Sequence, residues 1–163
     1  MKELTTADHL DLYAALAGAA QPNDVYLAVQ RVLAERLGFG LFTLLVCTDD
    51  VTQVRRVHTS NSQAYPVAGL KQMGTTPWGD RVLKNQLCYL TGDAKGILWA
   101  FPDHALIASL GLASAINVPV VAMGKVLGTI NVLDAAGRYG EVDVDVVRCI
   151  APYLVAPFLR DIG

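Results

Sequence analysis

The chain has 163 residues, 53% of them hydrophobic, and a mean hydropathy of +0.37, enough for one domain with a sizeable core and too short for two. Thirteen Lys and Arg against fifteen Asp and Glu leave a net charge of -2 with no block of like charge, which excludes a nucleic-acid arm and a basic membrane-binding face. Cys47, Cys88 and Cys149 are too widely spaced for a disulfide framework or a zinc site, and His9, His58 and His104 show no paired ligand spacing, so no metal and no cofactor is expected.

The N-terminus, MKELTTADHLDLY, carries acidic residues where a signal peptide needs a basic start and an apolar run, and a cytoplasmic location is expected. Periodicity predicts a first helix over Asp8 to Ala20 with Leu10, Tyr13, Ala14 and Ala17 on one face. Asn23 is placed as the cap of a second helix, which runs to Leu37 with Gly38 as its stop and carries Val25, Ala28, Val29, Val32 and Leu33 as its stripe. FGLFTLLVCT reads as a central strand buried on both faces. Asp49 and Asp50 then turn the chain into its hairpin partner, VTQVRRVHT.

From Ser60 to about Leu112 the pattern is irregular, opening with YPVAGLKQMGTTPWGD. A short helix is predicted from Trp78 to Asn85, a strand around Leu87 to Leu90 and a helix over His104 to Leu110. Such a long excursion carries function or covers something. The uncharged stretch from His104 to Gly124 approaches the roughly 20 residues of a membrane span, but Asn117, Pro119 and Gly111 divide it into a helix and a strand. SAINVPVVAMGKVLGTINVL reads as a hairpin around Met123 and Gly124. After DAAGRYGE, a closing helix runs from Val142 to Ile162, bent or shortened by Pro152 and Pro157.

These elements describe an α+β sandwich: a central antiparallel sheet of five or six strands, the N- and C-terminal helices on one face and the excursion on the other. The segment GLASAINVPVVAMGKVLGTINVLDAAGRYGEVDVDVVRCIAPYLVAPF, Gly111 to Phe158, resembles a GAF domain. It has a Pro-containing strand, a Gly-Lys turn, V-L-G-T-I-N-V-L and an acidic helix start in that order. The resemblance extends more weakly back to Asn23. It implies residues 1–22 as a separate helix, with a possible dimerisation role, and 23–163 as a GAF-like, PAS-like domain. It further implies a small molecule held between the sheet and the 60–112 excursion, and a homodimer through the terminal helices. The stretch FPDHALIASLGLASAINVPV is also similar in organisation to the ligand-binding domains of acyl-homoserine-lactone receptors. These 163 residues contain no helix-turn-helix domain, so an output protein in trans is expected.

Known GAF subgroups differ from this sequence. The cyclic-nucleotide-binding pattern needs a Phe and an Asp-Glu pair after its Asn, whereas Asn131 precedes Val132. The bilin-binding pattern needs a Cys beside a His. The free methionine sulfoxide reductases cluster cysteines in the excursion, where this chain has Cys88 alone.

Candidate ligand contacts are weighed against plainer roles. Trp78 and Tyr65 can face a ligand or anchor the excursion on the core. His58 would sit at the pocket mouth, or be exposed. Thr75, Thr76 and Asp80 can orient a polar group, while Thr76 and Asp80 can equally cap the helix near Trp78. Trp99 and His104 flank WAFPDH, in which Asp103 is expected to cap the following helix. Asn117 and Asn131, in mid-strand, need buried partners. A two-residue turn at Met123-Gly124 puts the two amides on opposite faces, and a three-residue turn puts both on one face with Thr129, as the floor of a pocket.

Three functions follow. The leading one is a small-molecule-binding sensor module for signal transduction. A thiol-dependent enzyme, similar to the free methionine sulfoxide reductases, would have to assemble Cys88 with His58 or His104 and with Asp80 or Asp93. A structural dimerisation module would use the terminal helices alone.

Overall fold

Thr5 starts the first helix in the computed structural model, which describes residues 2–162. Thr5 Oγ1 accepts from the Asp8 amide at 3.2 Å, and Asp8 Oδ2 accepts from the Thr5 amide at 2.8 Å, so two donors at the helix end are satisfied reciprocally. Helix α1 spans Thr6–Leu16. It stops short of the predicted Ala20 because the Gln21 side-chain amide donates to the carbonyls of Ala15, Leu16 and Gly18. Leu12 is buried, whereas Leu10 and Tyr13 are 62% and 65% exposed, so the predicted apolar stripe faces outward.

Asp8 ties α1 to helix α2, Asn23–Arg36. Its buried carboxylate accepts from Arg36 Nε at 2.7 Å and from Arg36 Nη2 at 3.0 Å. Those hydrogen bonds hold the Asp8 carboxyl below its ordinary value against the opposing effect of burial. A depressed carboxyl contributes stability that is fully present above its unfolded value of about 3.9 and is lost as pH falls through the folded value. Asp8→Asn is therefore expected to cost about 2 kcal/mol at neutral pH, a difference that shrinks progressively as pH falls below the unfolded value of about 3.9. Urea titrations of both proteins across pH test this, and a difference that is independent of pH would contradict it.

All five predicted stripe residues of α2 are buried. Asn23 is its first residue, not its cap, since Pro22 holds that position. Gly38, at φ +71°, ends the helix as predicted.

Six strands form one antiparallel sheet: β1 Leu41–Cys47, β2 Gln53–Thr59, β3 Ala68–Gln72, β4 Tyr89–Thr91, β5 Ser114–Ala122 and β6 Lys125–Asp134, in the order β3-β2-β1-β6-β5-β4. β1 is central, as its apolar run predicts. Helices α3, Ala94–Ala100, and α4, His104–Ser109, lie in the excursion, and a π-helical turn at Gly79–Lys84 stands where a short helix is predicted. β3 and α3 are additions to the predicted order. The closing helix is divided into α5, Glu141–Ile150, a 3-10 turn, Ala151–Leu154, and α6, Val155–Ile162. Pro152 lies in the turn, and Pro157 lies in the first turn of α6, where its missing N–H costs nothing.

Two bulges decide which side chains face the excursion. The β5–β6 turn has two residues, Met123 and Gly124, at φ 50° and 78°, and pairs Ala122 with Lys125. On the simple alternation this would separate Asn117 from Asn131. The register shifts between Val120 and Val121, with Val121 opposite Val126 and Val120 opposite Gly128, so Leu127 is the extra residue. Asn117 therefore stands directly opposite Asn131. In β2, Leu44 pairs with His58 but Leu45 with Arg56, leaving Val57 extra. His58 thus shares the helix side of the sheet with Leu44, and Arg56 shares the excursion side with Leu45.

The core follows this division. Phe42, Leu44, Val46, Ile116, Val118, Ile130 and Val132 pack beneath α2, α5 and α6. On the excursion side there are two smaller apolar clusters. One contains Cys47, Val54, Met73, Trp78, Val82 and Leu83, and the other Leu41, Tyr65, Ile97, Ile107, Leu112 and Leu133. A polar row on the sheet lies between them.

Candidate functional site

Trp78 is placed by Thr76. Thr76 Oγ1 donates to the Met73 carbonyl at 2.6 Å and accepts from the Gly79 amide at 3.0 Å, which turns the chain into the π-helical segment. Gly79 is required there, because a Cβ would meet the Met73 carbonyl oxygen at 1.9 Å. The Trp78 ring is consequently pressed onto the sheet, 1% exposed. Its Nε1–H donates to Asn117 Oδ1 at 3.0 Å, Asn117 Nδ2 donates to Asn131 Oδ1 at 2.8 Å, and Asn131 Nδ2 reaches the Thr43 carbonyl and Oγ1, each at 3.3 Å. One buried row of donors and acceptors thus crosses β5, β6 and β1. Thr129 lies two residues along on the same face, and its buried Oγ1 has no partner among the described residues.

A cavity of about 60 Å³ lies above this row, at the seam of the two apolar clusters. It holds roughly two waters' worth of space, at ~30 Å³ each. Leu41, Leu45, Leu133, Phe101 and Ile107 give it apolar walls, and Thr43, Asn117 and Asn131 a polar floor. One end is charged. The Arg56 guanidinium lies 4.8 Å from the centre of the Tyr65 ring, and its Nη1 donates to the Pro66 carbonyl at 3.1 Å. Tyr65 donates its phenolic proton to Asp103 Oδ2 at 2.6 Å. Arg56 Nε is buried and has no acceptor among the described residues. Burial pushes the guanidinium below its ordinary pKa and the Tyr65 phenol above its own. A buried N–H without a partner, on a cation that is itself half-buried, marks a place where an acceptor is missing.

No family model matches the sequence, and no curated protein matches it. Solved structures do. The chain superposes on a GAF domain from a phosphoenolpyruvate-protein phosphotransferase of Coxiella burnetii with a TM-score of 0.73 at 17% identity, covering 94% of this chain and 92% of that one. The GAF domain of a two-component sensor histidine kinase from Bacillus halodurans matches at a TM-score of 0.72 and 12% identity, with 88% and 97% covered. The chain has a GAF-domain fold. A free methionine-R-sulfoxide reductase from Neisseria meningitidis, solved with its substrate, is also similar, at a TM-score of 0.69 and 17% identity over 98% and 94% of the two chains.

Within this GAF fold the predicted contacts separate into two groups. Tyr65, Trp78, Asn117 and Asn131 line the cavity, and Thr129 lies beside it on the same face. The others lie elsewhere. His58 is on the helix face, its Nε2 2.6 Å from Gln30 Oε1 and its ring against Tyr26 and Phe42. Burial there pushes its pKa down. Thr75 is exposed, and Thr76 caps a turn. Asp80 pairs at the surface with Lys84 at 3.0 Å. Trp99 stacks on Tyr89 with ring centres 5.2 Å apart, and His104 is exposed at the start of α4. Asp103 occupies the residue before α4 without making a capping hydrogen bond, because its carboxylate is committed to Tyr65.

The residues weighed for thiol chemistry are not brought together. Cys88 is half-buried on the α5 side, beside Leu90, Val118 and Val144, and burial raises its pKa, opposite to what a reactive thiolate needs. His58 is on β2, four strand spacings from β4, or roughly 19 Å at ~4.8 Å each. Asp93 caps α3, accepting from the Gly96 amide at 2.9 Å. Arg56, Thr43 and Asp103 are the site residues that sequence reasoning did not select. The arginine pair Arg55-Arg56 inside a β-rich run is a signal that could have found Arg56; it says nothing of Thr43 or Asp103.

Proposed function

We propose that this chain is a GAF-type sensor domain that holds a small molecule between its sheet and the 60–112 excursion and passes its state to a partner protein. The observation that supports this most strongly is the buried row from Trp78 through Asn117 and Asn131 to Thr43. A core built for stability alone gains nothing from four polar groups under a cavity, since apolar residues would pack there without the risk of unmet hydrogen bonds. Polar groups set in apolar walls are what orients a ligand. Signalling is supported by the likeness to the GAF domain of a sensor histidine kinase. Typical ligand cavities are ~300–1,000 Å³, so a ligand larger than a few heavy atoms enters only as α3 and α4 move outward.

Trp78 supplies the readout. In a Trp99→Phe protein, the one remaining indole borders the cavity, and titration with a metabolite library is expected to give a saturable change in its fluorescence for at least one compound, together with a raised Tm. A library of broad chemistry that leaves both unchanged would contradict the reading.

A further inference from the structure

We propose that the charged end of the cavity takes the carboxylate of a small aliphatic acid, whose two oxygens accept from the Nε–Nη2 edge of Arg56. The inference rests on the ligand-holding reading above and names the head group of that ligand. Two contacts fix the guanidinium plane: the Tyr65 ring lies beneath it, with Cζ 4.8 Å from the ring centre, and the Pro66 carbonyl takes Nη1 at 3.1 Å. Among the described residues the opposite edge makes no hydrogen bond, and it borders the cavity wall. Nε is buried without an acceptor, and Nη2 makes no hydrogen bond among the described residues. Those two N–H groups are parallel and spaced to match the two oxygens of a carboxylate, a match that an ammonium cannot provide.

The neighbours narrow the class further. No carboxylate of the chain lies within ion-pair distance of Arg56 among the described residues, so this half-buried charge has no direct ion pair. Asp103 stands at the hydroxyl end of Tyr65, accepting the phenol proton, and its charge acts on Arg56. Lys71 also lines the cavity and offsets part of that charge, so it is the small volume together with Asp103 that favours a planar monoanion over the bulkier phosphate dianion. Leu41, Ile107 and Leu133 form the apolar wall for the acid's carbon chain. The volume of about 60 Å³ takes little more than the carboxylate itself, so any longer carbon chain requires α4 to shift. Two sources share this chemistry: a plain short-chain acid, and an α-amino acid whose ammonium would meet the second oxygen of Asp103.

The test is a titration of the full chain followed through the Arg56 Nε–H and Trp78 indole N–H signals by NMR. The probes are acetate, isobutyrate, isovalerate and valine, the uncharged acetamide and isobutyramide, and inorganic phosphate. At least one carboxylate is expected to shift the Arg56 signal saturably, with the matching amide weaker by about tenfold or more, the weight of one charge-assisted bond. Phosphate should leave the signal in place. Arg56→Lys keeps the charge and loses the planar edge, and is expected to weaken the carboxylate by a similar factor while the Trp78 signal of the free protein stays in place. Valine binding more tightly than isovalerate, with the difference removed by Asp103→Asn, identifies an amino acid. The reverse order identifies a plain acid. Amides that bind as tightly as their acids, or neutral library compounds that move Trp78 and leave Arg56 silent, overturn the carboxylate and leave the ligand-holding reading intact. Silence of both signals towards every compound overturns both.

Discussion

Trp78→Ala is expected to destabilise the protein by about 4 kcal/mol, in the range of large aromatic deletions from a packed core. The ring fills the cluster of Met73, Val82, Leu83 and Ala100 and lies 6.3 Å from Phe101. Its removal also strips Asn117 Oδ1 of its donor. Trp78→Phe separates the two effects, since it keeps most of the packing and removes the indole N–H; a loss of about 1 to 2 kcal/mol is expected for the unmet acceptor. Urea unfolding of both variants measures the difference. An alanine variant within ~1 kcal/mol of the parent would mean that the excursion does not rest on the sheet through this ring.

Asn131→Ala is expected to cost about 3 kcal/mol, because Asn131 is the middle of the polar row. Its loss leaves Asn117 Nδ2 without an acceptor and removes the donor to Thr43. Asn117→Ala alone leaves Trp78 Nε1 and Asn131 Oδ1 unmet, at a similar cost. The two substitutions share a hydrogen bond, so the double variant should lose less than the sum by about 1 to 2 kcal/mol, as a double-mutant cycle in urea would show. Additive losses would mean that the two amides do not act as one row. Both pairs of variants concern the same device: the row fastens the excursion to the sheet and is also the floor of the cavity.

Much of this fold was legible in the sequence because its signals are long. The stripe of α2, the apolar run of β1 and the β5–β6 hairpin each extend over many residues, so neighbouring positions corroborate one another. β3 was not legible, because AGLKQ is an edge strand with no alternation to read and draws its pairing from β2. α3 was hidden behind the same irregular composition. The site was half legible. Trp78, Tyr65, Asn117 and Asn131 stood out as large or polar side chains in places that require burial or a partner, and each borders the cavity.

What the residues could not reveal was phase. The one-face arrangement of Asn117 and Asn131 comes from a two-residue turn followed by an extra residue at Leu127, and in VLGTINVL Gly128 alone hints at a bulge there. Positions 54, 56 and 58 of an unbroken strand would share a face. The extra residue at Val57 leaves Arg56 on the excursion side and sends His58 to the helices, which is why the histidine expected at the pocket is not there. Each bulge is one residue long, and each changes which side chains share a face: Asn117 joins Asn131, and His58 parts from Arg56. Thr43 was overlooked for a different reason: one hydroxyl inside FTLLV reads as β-propensity until its partner across the strand is known.

The most direct measurement is a crystal structure of the full chain purified from cell extract without added ligand. The expected result is electron density for a small molecule within hydrogen-bond distance of Asn131 or Arg56, roofed by Phe101 and Ile107. Side chains of Phe101, Ile107 and Leu133 closing the space completely, in protein that has been equilibrated with extract, would contradict the existence of a ligand site between the sheet and the excursion.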